Sequence, residues 1–232
     1  MPLGKAQGNM YDWVTHTWSC INGECPHRCD YCYVKRGRFT KDSPNYRGPP
    51  RFNENDNALV LGSGKKIFVA HTGDLFAEAV DAGVIARVLN RCIDYPDNIY
   101  IFQTKNPARA LDWCYPKKTI IGTTIETNDA KLLAKISKAP APLSRARAMR
   151  QHKQAGRQTF VTIEPIMRFD IEEMTDLILL ADPDTVNIGA DSKGSKLQEP
   201  TWQEVQELIQ WLKQAGIPIG IKSNLERLRG AD

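Results

Sequence analysis

"CINGECPHRCDYCYVKRG", residues 20–37, gathers four of the chain's six cysteines within thirteen positions. Three of them, Cys25, Cys29 and Cys32, stand in a C-x3-C-x2-C spacing. Thiols arranged this way serve as disulfide staples, as zinc ligands, or as the seat of an iron–sulfur cluster. The surrounding sequence narrows the choice.

A chain of 232 residues has core enough for one large domain, 1–232, without staples. Its first residues, MPLGKAQGNMYDW, lack the apolar centre of a secretory signal, so a cytoplasmic, reducing setting is expected. There, clustered cysteines act more often as metal ligands or catalytic groups than as disulfides. No apolar run approaches the roughly 20 residues of a membrane span, so no membrane partner is expected. A net charge of +4 permits contact with nucleic acid and does not establish it.

A structural zinc site closes with four ligands, usually from two separated knuckles. Here Cys20 or His27 would have to supply the fourth. A cubane cluster has four irons, and three protein thiolates leave one of them open. Three thiolates on one compact loop suit a cluster that does chemistry, while the zinc reading stays open.

Beyond residue 60, short β-branched runs alternate with helical stretches. Strands are expected at Trp13 to Trp18, Lys66 to Ala70, Ile99 to Phe102, Thr119 to Ile125, Thr159 to Ile163, Thr185 to Gly189 and Ile217 to Ile221. Apolar on both parities, they suit a parallel sheet covered on both faces. Asp170 with Glu173, and Thr201 with Glu204, mark helix starts; Asn106–Pro107 marks another. Repeated β-α units predict an α/β fold, either a parallel barrel or an open doubly wound sheet. The irregular stretch of about 40–64 reads as a lid.

CPHRCDYC resembles the motif of the radical S-adenosylmethionine (radical SAM) superfamily, with Tyr31 as the aromatic before the third cysteine. The resemblance implies a partial (β/α)6 TIM-like barrel in which Cys25, Cys29 and Cys32 hold a 4Fe-4S cluster. It further implies that the open iron binds S-adenosylmethionine, which one electron splits to a 5'-deoxyadenosyl radical that takes hydrogen from a substrate. An electron donor of flavodoxin or ferredoxin type is implied as partner. IFVAHTGDLF, IYIFQTKNPARAL, IIGTTIETNDA, FVTIEPIMRFD and VNIGADSKG are similar to a small phage-associated subgroup of unassigned substrate. APAPLSRARAMRQHKQAG is similar to the DNA-repair photolyase-like branch, relatives of spore photoproduct lyase. A nucleotide or nucleic acid is therefore the implied substrate, with a peptide or small metabolite as the alternative.

Ligands of parallel barrels meet the carboxyl ends of the strands. Those ends carry Thr72, Gly73 and Asp74; Thr104, Lys105 and Asn106; Glu126 and Asn128; Glu164; Asp191, Ser192 and Lys193; Lys222 and Asn224. Gly73 lets a backbone approach the methionine part and Asp74 accepts from its ammonium. Glu126 or Asn128 suits the ribose hydroxyls, unless Asn128 is only a helix cap. Lys105, Lys193 or Lys222 suits a carboxylate or phosphate. Tyr31, Thr72, Asp191 and Ser192 complete the expected cofactor set.

Glu164 is a candidate for substrate contact, balanced against a structural salt bridge. Cys20 is a candidate hydrogen donor, balanced against simple burial. His16 and His71 read as hydrogen-bonded core groups, and Cys92 and Cys114 as buried residues of helices. Two basic stretches, Lys35, Arg36 and Arg38, and Arg145, Arg147, Arg150, Lys153 and Arg157, are either solvated or a phosphate-reading surface. In the second case Tyr46 or Phe52 is available for stacking.

Overall fold

Strands without a polar parity need cover on both faces. The computed structural model, which describes residues 3–37, 40–56 and 58–230, provides it with helices outside and an aromatic plug inside. In chain order the strands are β1 (Gly4–Lys5), β2 (His16–Trp18), β3 (Ile21–Asn22), β4 (Arg51–Phe52), β5 (Lys66–Val69), β6 (Ile99–Gln103), β7 (Thr119–Thr124), β8 (Gln158–Ile163), β9 (Thr185–Ile188) and β10 (Ile219–Ile221). The helices are α1 (Tyr33–Arg36), α2 (Ala82–Ile93), α3 (Pro107–Ala110), α4 (Ala130–Ile136), α5 (Pro142–Gln154), α6 (Ile171–Ala181) and α7 (Trp202–Gln214).

The main sheet runs β1-β2-β5-β6-β7-β8-β9-β10. Every pairing from β2 to β10 is parallel, and only the edge strand β1 is antiparallel. Strands that follow one another in space as in sequence wind in one direction, as in a barrel; a doubly wound sheet reverses its order at a switch point. The result is the expected partial TIM-like α/β barrel, with β10 as a seventh parallel strand.

Helix ends follow local chemistry. The Asp170 side chain accepts from the Glu173 amide, and Thr201 with Glu204 forms a complete capping box. Asp129, one residue past Asn128, caps α4.

The lumen is filled from the N-terminal side. Residues before β2 cross the barrel and insert Tyr11 and Val14 between Phe68, Ile101 and Phe160. The rings of Tyr11 and Trp13 stack at 5.3 Å, and Phe160 meets both edge-on at 5.5 and 5.8 Å.

The stretch expected as a lid is a clamp. β4 pairs with β3, Phe52, Leu59 and Leu61 are buried in the outer core, and the Trp18 indole donates to Asp56 at 3.0 Å. Apolar residues spaced through an otherwise polar segment anchor it.

Candidate active site

A cavity of about 510 Å³ opens where the parallel strands end. Cys25, Cys29 and Cys32 line one wall. Thr72–Asp74 after β5, Thr104 and Lys105 after β6, Glu164 after β8, Ala190–Lys193 after β9 and Lys222 after β10 line the rest, with Tyr11 and Asn9 from the crossing segment. A second hollow of about 410 Å³, between Phe52 and α2, contains none of these groups.

The cysteine loop is sewn down at its back. The Asp30 amide donates to the Ile136 carbonyl at 2.9 Å, and the Lys138 amide to the His27 carbonyl at 2.7 Å. Cys29 is buried with Ser137 Oγ 3.1 Å from its sulfur, while Cys25 and Cys32 are half-buried. Burial pushes the Cys25 thiol up to about 12, and Asp74, Cys29 and Cys32 add to it. Thiolates here need a cation, which is what a metal centre supplies. Tetrahedral structural zinc takes four protein ligands, and this loop offers three thiols to the cavity. A cluster gives each thiolate its own iron, so the donor set of three thiols around one cavity fits it better.

Opposite the loop, the Thr72 hydroxyl is buried without a hydrogen-bond partner, and Gly73 leaves room for Ile21, whose Cδ1 would lie 2.9 Å from an added Cβ. Asp74 was expected to meet an ammonium. Its carboxylate instead accepts from His27 Nε2 at 2.8 Å, Thr104 Oγ1 at 2.7 Å, and the amides of Lys105 at 2.7 Å and Phe76 at 3.1 Å. Burial raises the Asp74 pKa, but the His27 and Thr104 hydrogen bonds outweigh it and hold it low. These four donors use the carboxylate's lone pairs, so Asp74 fixes the turn. Sequence reasoning saw in His27 only a fourth zinc ligand.

Glu126 and Asn128, expected near the ribose, stand behind the cavity lining. Glu126 is fully buried: Oε1 accepts from Tyr31 at 2.5 Å and lies 3.2 Å from Lys105 Nζ, and Oε2 accepts from Arg145 Nη1 at 2.8 Å. Asn128 braces α6, accepting from the Asp170 amide at 2.9 Å and donating to Glu173 at 2.7 Å. Arg145, expected in a basic surface stretch, is the cation beneath Tyr31.

Other expectations need correction too. Lys153 pairs with Asp184 and Arg157 lies over the Tyr115 ring, so only Arg147 and Arg150 of that stretch are exposed. Phe52 is buried under the Arg87 guanidinium at 3.8 Å and offers no stacking face. Arg38 lies outside the described residues. Cys92 is buried on α2, but Cys114 is exposed in a loop because α3 ends at Ala110. Cys20, expected either as a hydrogen donor or as a buried thiol, is fully buried in the outer core and does not line the cavity. His16 lies 2.8 Å from Thr15 Oγ1, and His71 lines the cavity 3.2 Å from Ser19 Oγ.

At the far end, Glu164 accepts from Lys222 at 2.7 Å, Asn224 at 2.7 Å and Asn9 at 2.6 Å. The Tyr11 hydroxyl joins Gln103 at 2.8 Å and Thr162 at 2.5 Å. Asp191 accepts from the Lys193 amide at 2.9 Å and shapes its own turn, leaving Ser192 and Lys193 exposed on the rim.

A family profile described as "Protein of unknown function (DUF5131)" matches residues 9–223. No curated protein matches the chain. Among solved structures, spore photoproduct lyase complexed with dinucleoside spore photoproduct is similar with a TM-score of 0.62 at 13% identity, over 92% of this chain and 78% of the other. A mutant of that lyase with bound AdoMet and dinucleoside spore photoproduct gives 0.56 at 15%, over 89% and 63%. Streptococcus suis SuiB bound to precursor peptide SuiA gives 0.58 at 12%, over 88% of this chain and 47% of SuiB. At such identities the likeness is one of fold.

Proposed function

We propose that this chain, which belongs to the family of proteins of unknown function DUF5131, is a radical SAM enzyme acting on a nucleotide or nucleic acid. One observation carries the first part: the three thiols of a C-x3-C-x2-C loop face a single cavity, opposite a Thr72-Gly73-Asp74 turn, at the strand ends of a partial parallel barrel. The similar structures, spore photoproduct lyase and SuiB, are radical SAM enzymes, which supports it.

Cys25, Cys29 and Cys32 hold a 4Fe-4S cluster whose fourth iron is left for S-adenosylmethionine. When bound, that cluster supplies the electron that splits the sulfonium to a 5'-deoxyadenosyl radical. Thr72, Gly73, Lys105 and Ser192 face S-adenosylmethionine, the unpaired Thr72 hydroxyl offering a hydrogen bond and Lys105 a charge. Tyr31, Asp74 and Asp191 position that wall through the contacts described above. Glu164, held by Lys222, Asn224 and Asn9, meets the substrate at the far end.

The nucleotide reading is supported by the Lys193 ammonium on the rim, without a charged partner among the described residues, and by the dinucleoside spore photoproduct bound to the similar lyase. SuiB, with its bound precursor peptide, supports a peptide as the second reading. An electron donor of flavodoxin or ferredoxin type completes the system, which we place in the cytoplasm. Among the described residues no helix is long and apolar enough to cross a membrane.

Anaerobically reconstituted protein is expected to hold about four iron and four sulfide per chain. Its reduced EPR signal should change on adding S-adenosylmethionine, and 5'-deoxyadenosine should form. Stoichiometric zinc without sulfide, or a cluster signal indifferent to S-adenosylmethionine, would overturn the reading. Oligonucleotides raising 5'-deoxyadenosine output where peptides do not would support the substrate class; the reverse would favour the peptide.

A further inference from the structure

Cationic side chains gather on and beside the cysteine loop, outside the cavity lining. Glu24 lies 3.6 Å from Arg28 Nε and 4.0 Å from Lys35 Nζ. Its amide donates to the Gly48 carbonyl at 2.8 Å, which brings up the segment carrying Arg47 and Arg51. Arg51 is fixed in register against Asn22 by the β3–β4 pairing, and its Nη1 donates to the Arg47 carbonyl at 3.0 Å. All four cations are exposed, and Glu24 is the one carboxylate within ion-pair distance of any of them among the described residues. Gly23, at φ +102, has no room for a Cβ against the Pro49 carbonyl, so this face is tightly seated on the loop.

None of the four lines the cavity, although seven residues of the loop they flank, between Cys25 and Val34, form part of its wall. A substrate read through its phosphates would be held at the cavity mouth. These charges are exposed on and beside the loop that carries the thiols but outside the cavity lining, where a partner gains proximity to the cluster without obstructing the cavity. Clustered single-sign charge steers an oppositely charged protein and speeds its encounter.

We propose that Arg28, Lys35, Arg47 and Arg51 form the docking surface for an acidic one-electron carrier protein. This rests on the radical SAM reading: the carrier is oxidised by one electron and the cluster reduced by one, with no bond made at the interface.

The experiment compares wild type with Lys35→Glu/Arg47→Glu/Arg51→Glu and with the milder Lys35→Gln/Arg47→Gln/Arg51→Gln. Arg28 is left in place because its backbone, at φ 47, shapes the turn between the cysteines. An acidic flavodoxin is the probe, its binding measured by calorimetry and the cluster's reduction followed by EPR, with dithionite as a small reductant for comparison. The reversal variant is expected to weaken flavodoxin binding at least about tenfold, to slow flavodoxin-driven reduction equally, and to flatten its salt dependence. Dithionite-driven reduction should stay unchanged, and the glutamine variant should fall between.

Flavodoxin binding and reduction unchanged in both variants would overturn the proposal. So would loss of oligonucleotide binding with flavodoxin reduction intact, which would make the face a phosphate-binding surface. Failure of wild type to assemble iron and sulfide would instead overturn the underlying enzyme reading, and this proposal with it.

Discussion

Tyr31, the residue before the third cysteine, donates a 2.5 Å hydrogen bond to Glu126, ninety-five positions away at the end of β7. Through this contact the cysteine loop stands on a buried ion cluster in which one carboxylate faces two cations, Lys105 and Arg145. The excess positive charge suits a wall that is to hold three thiolates.

Removing that carboxylate should be costly. Glu126→Gln leaves the fully buried Arg145 and the half-buried Lys105 without an anion, and stability should fall by about 3–5 kcal/mol in urea denaturation. Glu126→Gln with Arg145→Gln should recover part of the loss, because one stranded cation is gone. Burial raises the Glu126 pKa, but Arg145 and then Lys105 outweigh it and hold it at about 2. Its contribution is therefore complete above an ordinary carboxylate pKa and lost as pH falls toward 2. A Glu126→Gln variant as stable as wild type at pH 7 would contradict this account.

Gly122 sits in the middle of β7, and an added Cβ would enter the Phe160 ring. Phe160 is held edge-on by Tyr11 and Trp13, so it has nowhere to turn. Gly122→Ala is expected to cost about 1–3 kcal/mol and to shift the emission of Trp13 as the plug loosens. An unshifted transition and emission would show that the lumen packs more loosely than these distances imply.

What the sequence disclosed and what it hid divide by range. The strand Lys66–Val69 and the caps at Asp170 and Thr201 were legible because a few neighbouring residues determine them. Cys25, Cys29 and Cys32 were legible as a set because their spacing is local. Arg145 looked solvated because it stands among other cations, and only folding sets it beneath Glu126. Tyr11 gave no signal of its place in the lumen, since its partners Phe68 and Phe160 lie far along the chain. The commitment of Asp74 to His27, forty-seven positions earlier, was hidden for the same reason.

That commitment predicts a graded response at His27. His27→Ala leaves Asp74 short of one donor in a buried site, and stability should drop by roughly 1–3 kcal/mol. His27→Gln keeps an N–H that can reach the carboxylate and should regain part of the loss. Iron retained after gel filtration of reconstituted protein should follow the same order, wild type above Gln above Ala. Equal iron retention in all three would mean that the cysteine loop does not depend on the bridge.

A separate dependence on pH comes from His152, fully buried on α5. Its Nε2 donates to the Pro107 carbonyl at 2.9 Å, so Nδ1 accepts from Arg157 at 3.2 Å. Burial, aided by the Arg157 charge, pushes the ring's pKa down to about 4. In the unfolded chain the same imidazole takes a proton near 6.5, so the unfolded state binds more protons as pH falls through that value. Wild type should therefore lose about 2 kcal/mol between pH 7 and pH 5 from this group. His152→Gln can donate to Pro107 and accept from Arg157 without titrating, so its urea midpoint should vary less over the same interval. If the variant's midpoint falls as steeply as that of wild type, another group governs the acid side of the stability curve.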